Sequence, residues 1–250
     1  MLAPPSYSKL PAPHYLQSPR VCCITLNSGD KIRLIGVPTE LVGYLRAGIL
    51  RAWPQKISHE QDYSGAHEFK LGGNPWLATG LDHVSARRLI VEVLRVMAMR
   101  GWNLVQSVDV SKKRLDKDSL FFETIDPNTV TEQDLQTVDM FSISFGSSDK
   151  LKVIDTGSLA VISIVRQAIR AQWKAGIQRD EIRNSAHEFK LVGFPWYPDG
   201  SETVFSRMML AQILANLRAM GYKLYTSVDI SADERDAETW VFRRVGNAWS

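Results

Sequence analysis

Two histidine–glutamate pairs, His67-Glu68 and His187-Glu188, and two aspartates in matching Ser-Val-Asp segments, Asp109 and Asp229, are the residues whose types and spacing could do chemistry. A zinc-binding helix can open with His-Glu, but it needs a second histidine four residues on. Positions 71 and 191 are leucines, and Ala-His-Glu-Phe-Lys-Leu alternates with a period of two, so both segments read as strands. A structural role is expected for His67 and His187, with ligand contact as the alternative. Asp109 and Asp229 would serve as general acid and base only in one cleft and with divergent acidities, which two copies in like surroundings do not supply. Strand-terminal aspartates that bond amides of the next turn account for them as well.

The Gly-x-Pro-Trp corners, Gly73 to Trp76 and Gly193 to Trp196, join a flexible residue, a rigid one and a large ring. Trp76 and Trp196 are expected to cover the edge of a helix layer, the alternative being an aromatic platform for a base, a sugar or a peptide. Basic clusters occur at Arg87-Arg88, Lys112-Lys113-Arg114 and Arg243-Arg244. Acidic neighbours interrupt them, and Lys112 to Arg114 align with Ala232-Asp233-Glu234 in the other copy, so solvated loops are expected rather than a nucleic-acid patch. No glycine-rich phosphate loop, Gly-x-Ser-x-Gly elbow or Cys/His nucleophile arrangement is present. Cys22 and Cys23 are adjacent on an apolar strand, where thiols are inert. No catalytic residue, metal ligand or cofactor is assigned.

These residues must be positioned by elements that occur twice. Ala66 to Trp76 returns as Ala186 to Trp196 with nine of eleven positions identical, so the chain is a tandem duplication. Each copy reads as a hairpin (Cys22 to Val37; Met140 to Thr156), a helix capped by Thr39 or Ser158, the Ala-His-Glu-Phe-Lys-Leu strand, a second helix ending at Gly101 or Gly221, and two closing strands. The expected fold is α+β: a ββαβαββ unit repeated, each a mixed sheet with two helices on one face, the units packed with approximate two-fold symmetry. The boundaries read as a disordered Pro-rich leader at 1–20, repeat 1 at 21–124, a linker at 125–138 and repeat 2 at 139–247.

Within the strand, Phe69 and Leu71 should face the core. Glu68 and Lys70, with Glu188 and Lys190, lie on the opposite face, where they form cross-strand charge pairs or, if that face is open, a shared binding surface. The net charge of +3 makes neither half a polycation, and no apolar run approaches the roughly 20 residues that span a bilayer. Two adjacent cysteines build no disulfide framework, so a cytoplasmic or nuclear setting is expected.

The leader carries Pro4-Pro5-Ser6-Tyr7, which is similar to the Pro-Pro-x-Tyr ligands of WW domains. The resemblance implies a WW-domain protein as partner, with Pro4, Pro5 and Tyr7 as contacts. The function expected is that of a non-enzymatic interaction protein, an adaptor or scaffold that binds a protein partner and not a membrane. Single-stranded nucleic-acid binding through the aromatic corners, or an enzyme with a site at the junction of the repeats, are the alternatives.

Overall fold

The computed structural model of the chain describes residues 20–111, 116–125, 130–230, 238–246 and 249. Pro4, Pro5 and Tyr7, and the basic run Lys112 to Arg114, lie outside them. The first unit comprises β1 (Val21–Asn27), β2 (Lys31–Ile35), α1 (Thr39–Ala52), β3 (Ile57–Tyr63), β4 (Ala66–Leu71), α2 (Gly80–Met99), β5 (Trp102–Val108) and β6 (Ser119–Thr124). A short helix, α3 (Glu132–Gln136), carries a capping box between Thr131 and Asp134. The second unit repeats the order as β7 (Met140–Gly146), β8 (Lys150–Ile154), α4 (Leu159–Gln172), β9 (Ile177–Arg183), β10 (Ala186–Leu191), α5 (Glu202–Ala219), β11 (Tyr222–Val228) and β12 (Thr239–Arg244). The fold is α+β and duplicated.

Alternating apolar residues bury one face of each sheet. Cys22, Ile24 and Leu26 of β1, Ile32 and Leu34 of β2, and Phe69 and Leu71 of β4 point at α1 and α2, whose Leu45, Ile49 and Trp53 and Leu89, Ile90 and Leu94 complete the core. Phe141, Ile143, Phe145, Phe189 and Leu191 do the same beneath α4 and α5. Gly101 and Gly221 end α2 and α5 in the left-handed region, with φ of +77° and +85°. Ser158 sits at the N-cap of α4, whereas Thr39 is already the first residue of α1 after Pro38, and neither side chain makes a capping bond.

Two features of the expected sheet are corrected. Each sheet has six strands, in the order β3-β4-β2-β1-β6-β5 and β11-β12-β7-β8-β10-β9, and every pairing is antiparallel rather than mixed. The additional strands, β3 and β9, form hairpins with β4 and β10 at the sheet edge. Ile57-Ser-His-Glu-Gln-Asp-Tyr63 has almost no buried side and therefore no apolar alternation to announce it.

The units pack head to tail, which corrects the expected two-fold. Helix α2 is buried all round because it lies between its own sheet and the back of the second sheet, with Met140, Val228, Ile230 and Val241 joining its cluster. Helix α5, its counterpart, buries only Ser206, Met209, Ile213 and Leu217. A two-fold would cover both helices equally; here one unit's helix layer meets the other unit's sheet.

Candidate functional site

The backs of the two sheets carry the same polar row. In the first, Ser119, Thr25, Arg33 and Glu68 are successive cross-strand partners; in the second, Thr239, Ser144, Lys152 and Glu188 take the same register. Glu68 is buried by its partners, accepting from Arg33 at 2.5 Å and Gln61 at 2.8 Å, with Lys31 at 3.3 Å. Burial pushes its carboxyl upward, but the bonds from Arg33 and Gln61 outweigh this and hold it below the usual range. Glu188 instead meets Lys152 at 3.6 Å, beneath α2. Burial lowers the Lys152 ammonium, opposed by Glu188 and reinforced by Lys150 and Arg87. Lys70 and Lys190 pair with the hairpin residues Asp30 at 3.9 Å and Asp149 at 3.6 Å. Of the anticipated surface in the first unit, Glu68 is thus closed off by its own partners while Lys70 stays exposed; in the second, Glu188 and Lys152 lie beneath α2.

The duplicated histidines belong to a clamp. Arg46 of α1 holds Glu60 of β3 through bonds of 2.8 and 2.7 Å, and His67 Nε2 lies 3.1 Å from the same carboxylate. Arg166, Asp180 and His187 repeat the arrangement, with His187 Nε2 at 2.6 Å from Asp180. Bonds from the arginines first, and from the histidines, hold Glu60 and Asp180 below the ordinary carboxylate range against the pull of burial. Each clamp ties an edge strand to a helix. Its carboxylate sits on the strand that periodicity does not reveal, so the sequence offered no partner for the histidine.

Both tryptophan corners cover. Trp76 is fully buried and its indole N–H donates to the Lys31 carbonyl at 3.2 Å; Trp196 donates to Lys150 at 3.0 Å and meets Phe145 edge to face. The basic doublets are not solvated loops. Arg87 is buried on α2 against the second sheet, and Arg88 pairs with Asp155 at 2.8 Å and donates to the Ser185 carbonyl at 2.7 Å. Arg243 donates to Asn103 across the junction at 2.5 Å and packs over Tyr225, whose hydroxyl accepts from the Leu104 amide at 2.6 Å.

Between β5 and β11 lies a cleft of about 610 Å³ that Asp109 and Asp229 both line, with Asp118, Glu238, Ser107 and Ser227. Asp118 accepts from Ser107 at 2.6 Å and from the Asp229 amide at 3.1 Å. Burial raises its pKa, and the neighbouring Asp229 and Glu238 add to that. Asp109 accepts from the Ser111 amide, the turn-stabilising role expected of it. His67 and His187 are engaged in their clamps and do not line the cleft. No group of metal-ligating side chains occurs among the described residues, and no helix there is long and apolar enough to cross a membrane.

A family model matches residues 20–123 and again residues 139–243, which together make up most of the chain. The chain belongs to this two-copy domain family. The matched spans coincide with the two α+β units. No curated protein and no solved structure matches the chain.

Proposed function

We propose that the chain is a non-enzymatic interaction protein, a scaffold in which two copies of one domain present docking faces to protein partners. The observation that carries this reading is the way the domain is used internally: the outer face of a helix layer seats on the polar back of a sheet, burying Val84, Ile154 and Ala186 together. The corresponding faces, the outer side of α5 and the back of the first sheet, keep Val204 and Ile35 exposed. Affinity capture from cell extract tests it. A stoichiometric protein recovered by the full chain, and lost on Ile35→Asp or Val204→Asp, is the expected result; recovery of none counts against it. Pro5→Ala and Tyr7→Ala separately test the WW-type recruitment.

A second reading is favoured by one observation, the convergence of Asp109, Asp118 and Asp229 on the junction cleft. A carboxyl whose pKa burial raises, set among other carboxylates, is a starting point for acid–base chemistry. If the cleft is a site, Asp118→Asn abolishes turnover or binding of a cationic or hydroxylated small molecule without loss of fold. A small-molecule screen that finds nothing stabilising wild type over that variant removes the reading.

A further inference from the structure

Because the units pack head to tail, the helix-on-sheet part of the contact inside the chain leaves one copy of each of its two surfaces unused among the described residues. One is the outer face of α5; the other is the back of the first sheet. Position by position they match the surfaces that meet within the chain. Val84, buried to 1 %, corresponds to Val204, exposed to 58 %; Ile154 at 1 % corresponds to Ile35 at 46 %; Ala186 corresponds to Ala66, which is buried in both copies. Met140 at 2 % and Ile230 at 1 %, both covered by the first unit, correspond to Val21 at 60 % and Val110 at 70 %. The exposed Val204, Ile35, Val21 and Val110 are thus apolar at the places where their counterparts are buried by the contact within the chain.

The polar components correspond as well. Arg87 faces the row that holds Lys152 and Glu188, and its counterpart Arg207 would face the row that holds Arg33 and Glu68. Where α2 uses the Arg88–Asp155 ion pair, the counterparts are Met208, which is exposed, and Gly36, so that part of the second junction is apolar.

We propose that the chain associates head to tail with a second copy of itself, α5 of one molecule docking on the back of the first sheet of the next as α2 docks on the second sheet within the chain. This rests on the scaffold reading above and names its partner. The contact is heterologous, so each added copy presents a fresh pair of faces, and the assembly either closes into a ring or continues as a filament according to the rotation between copies.

The test is the mass in solution of the purified full chain by sedimentation velocity and light scattering, from about 1 µM to about 1 mM. Wild type is expected to grow with concentration beyond the 28.2 kDa of one chain. Ile35→Asp destroys the sheet end and Val204→Asp the helix end; each variant alone stays a monomer. Both positions are already exposed, so both variants keep the wild-type circular dichroism. An equal mixture of the two retains one intact junction and gives a species of twice the single-chain mass and no larger. Wild type that is monomeric throughout, or assembly that neither substitution alters, overturns the proposal. A monomer whose capture of a different protein is lost in either variant overturns self-association and leaves the scaffold standing; a monomer that captures nothing overturns both.

Discussion

Glu68 and Glu188 hold the same register position in strands of identical sequence, yet their energetics differ because of what surrounds them. Glu68 has Arg33, Lys31 and Gln61 within reach, so its charge is shared among several donors at the edge of solvent. Glu188 and Lys152 are closed off by α2, and a buried pair is costly chiefly when one member is removed. Glu188→Ala should therefore destabilise the protein by about 3 kcal/mol, while Glu188→Leu combined with Lys152→Met recovers most of that loss; urea unfolding of the three proteins decides it. The clamps give a pH prediction of the opposite character. Glu60 has its folded pKa lowered from 4.5 by Arg46 and His67, so its contribution is fully present above the ordinary carboxylate value and is lost as the pH falls through the lower folded value. Wild type should exceed Glu60→Gln by about 1 kcal/mol at neutral pH, a modest figure because the pair is partly exposed, and the two curves should converge in acid. A difference that grows on acidification would show that the clamp carboxylate is not held ionised. The paired thiols offer a simpler check. Burial pushes Cys22 up to about 12 and Cys23 up to about 11, so neither should react with a disulfide reagent near pH 8 until the chain is unfolded, when both do.

At the scale of elements, the apolar periodicities of β1, β2, β4 and the four long helices were legible because each has one face turned to a core and one turned away. The Gly-x-Pro-Trp corners were legible for the same reason: Gly73 and Gly193 adopt φ of +65° and +81°, and the proline and indole then lock the turn over the hairpin carbonyls. Trp76→Ala should cost about 4 kcal/mol and Trp196→Ala, only half-buried, about 2 kcal/mol, measured by chemical denaturation. Equal losses would mean that the second corner is more enclosed than its exposure implies. What periodicity could not show was β3 and β9, whose side chains mostly face water on both sides, and with them the carboxylates that explain the histidines. Nor could it separate α2 from α5. Both carry a Val-x-x-Arg motif in their first half, Val84 to Arg87 and Val204 to Arg207, and only the packing of the units decides that one is enclosed and the other open. The cleft was half legible: Asp109 and Asp229 stood out by repetition, whereas Asp118, the most perturbed carboxyl there, has Glu238 as its counterpart and left no repeated signal.

For the whole molecule the asymmetry of the junction has a measurable consequence. One helix cannot belong to two cores without coupling their stabilities, so the units should unfold together as long as α2 keeps both contacts. Val84 lies in the contact with the second sheet beside Ile154 and Ala186, and contributes nothing comparable to its own unit's core. Val84→Asp places a charge against that apolar patch and next to the buried Lys152 row, at a cost of several kcal/mol borne by the junction rather than by either unit. Calorimetry of wild type should give one cooperative transition, and of Val84→Asp two, the lower one belonging to the second unit, whose sheet back then faces water with Ser142, Ser144 and Thr239 hydrated. The counterpart Val204→Asp should leave the single transition intact, because Val204 is exposed on α5 and none of the described residues buries it. Two transitions already present in wild type, or one retained in Val84→Asp, would mean that the units are coupled through the β5 and β11 edge, where Leu104 meets Tyr225 and Asn103 meets Arg243, and not through the helix. The comparison thus tells which of the two contacts a duplicated domain needed in order to become one cooperative protein.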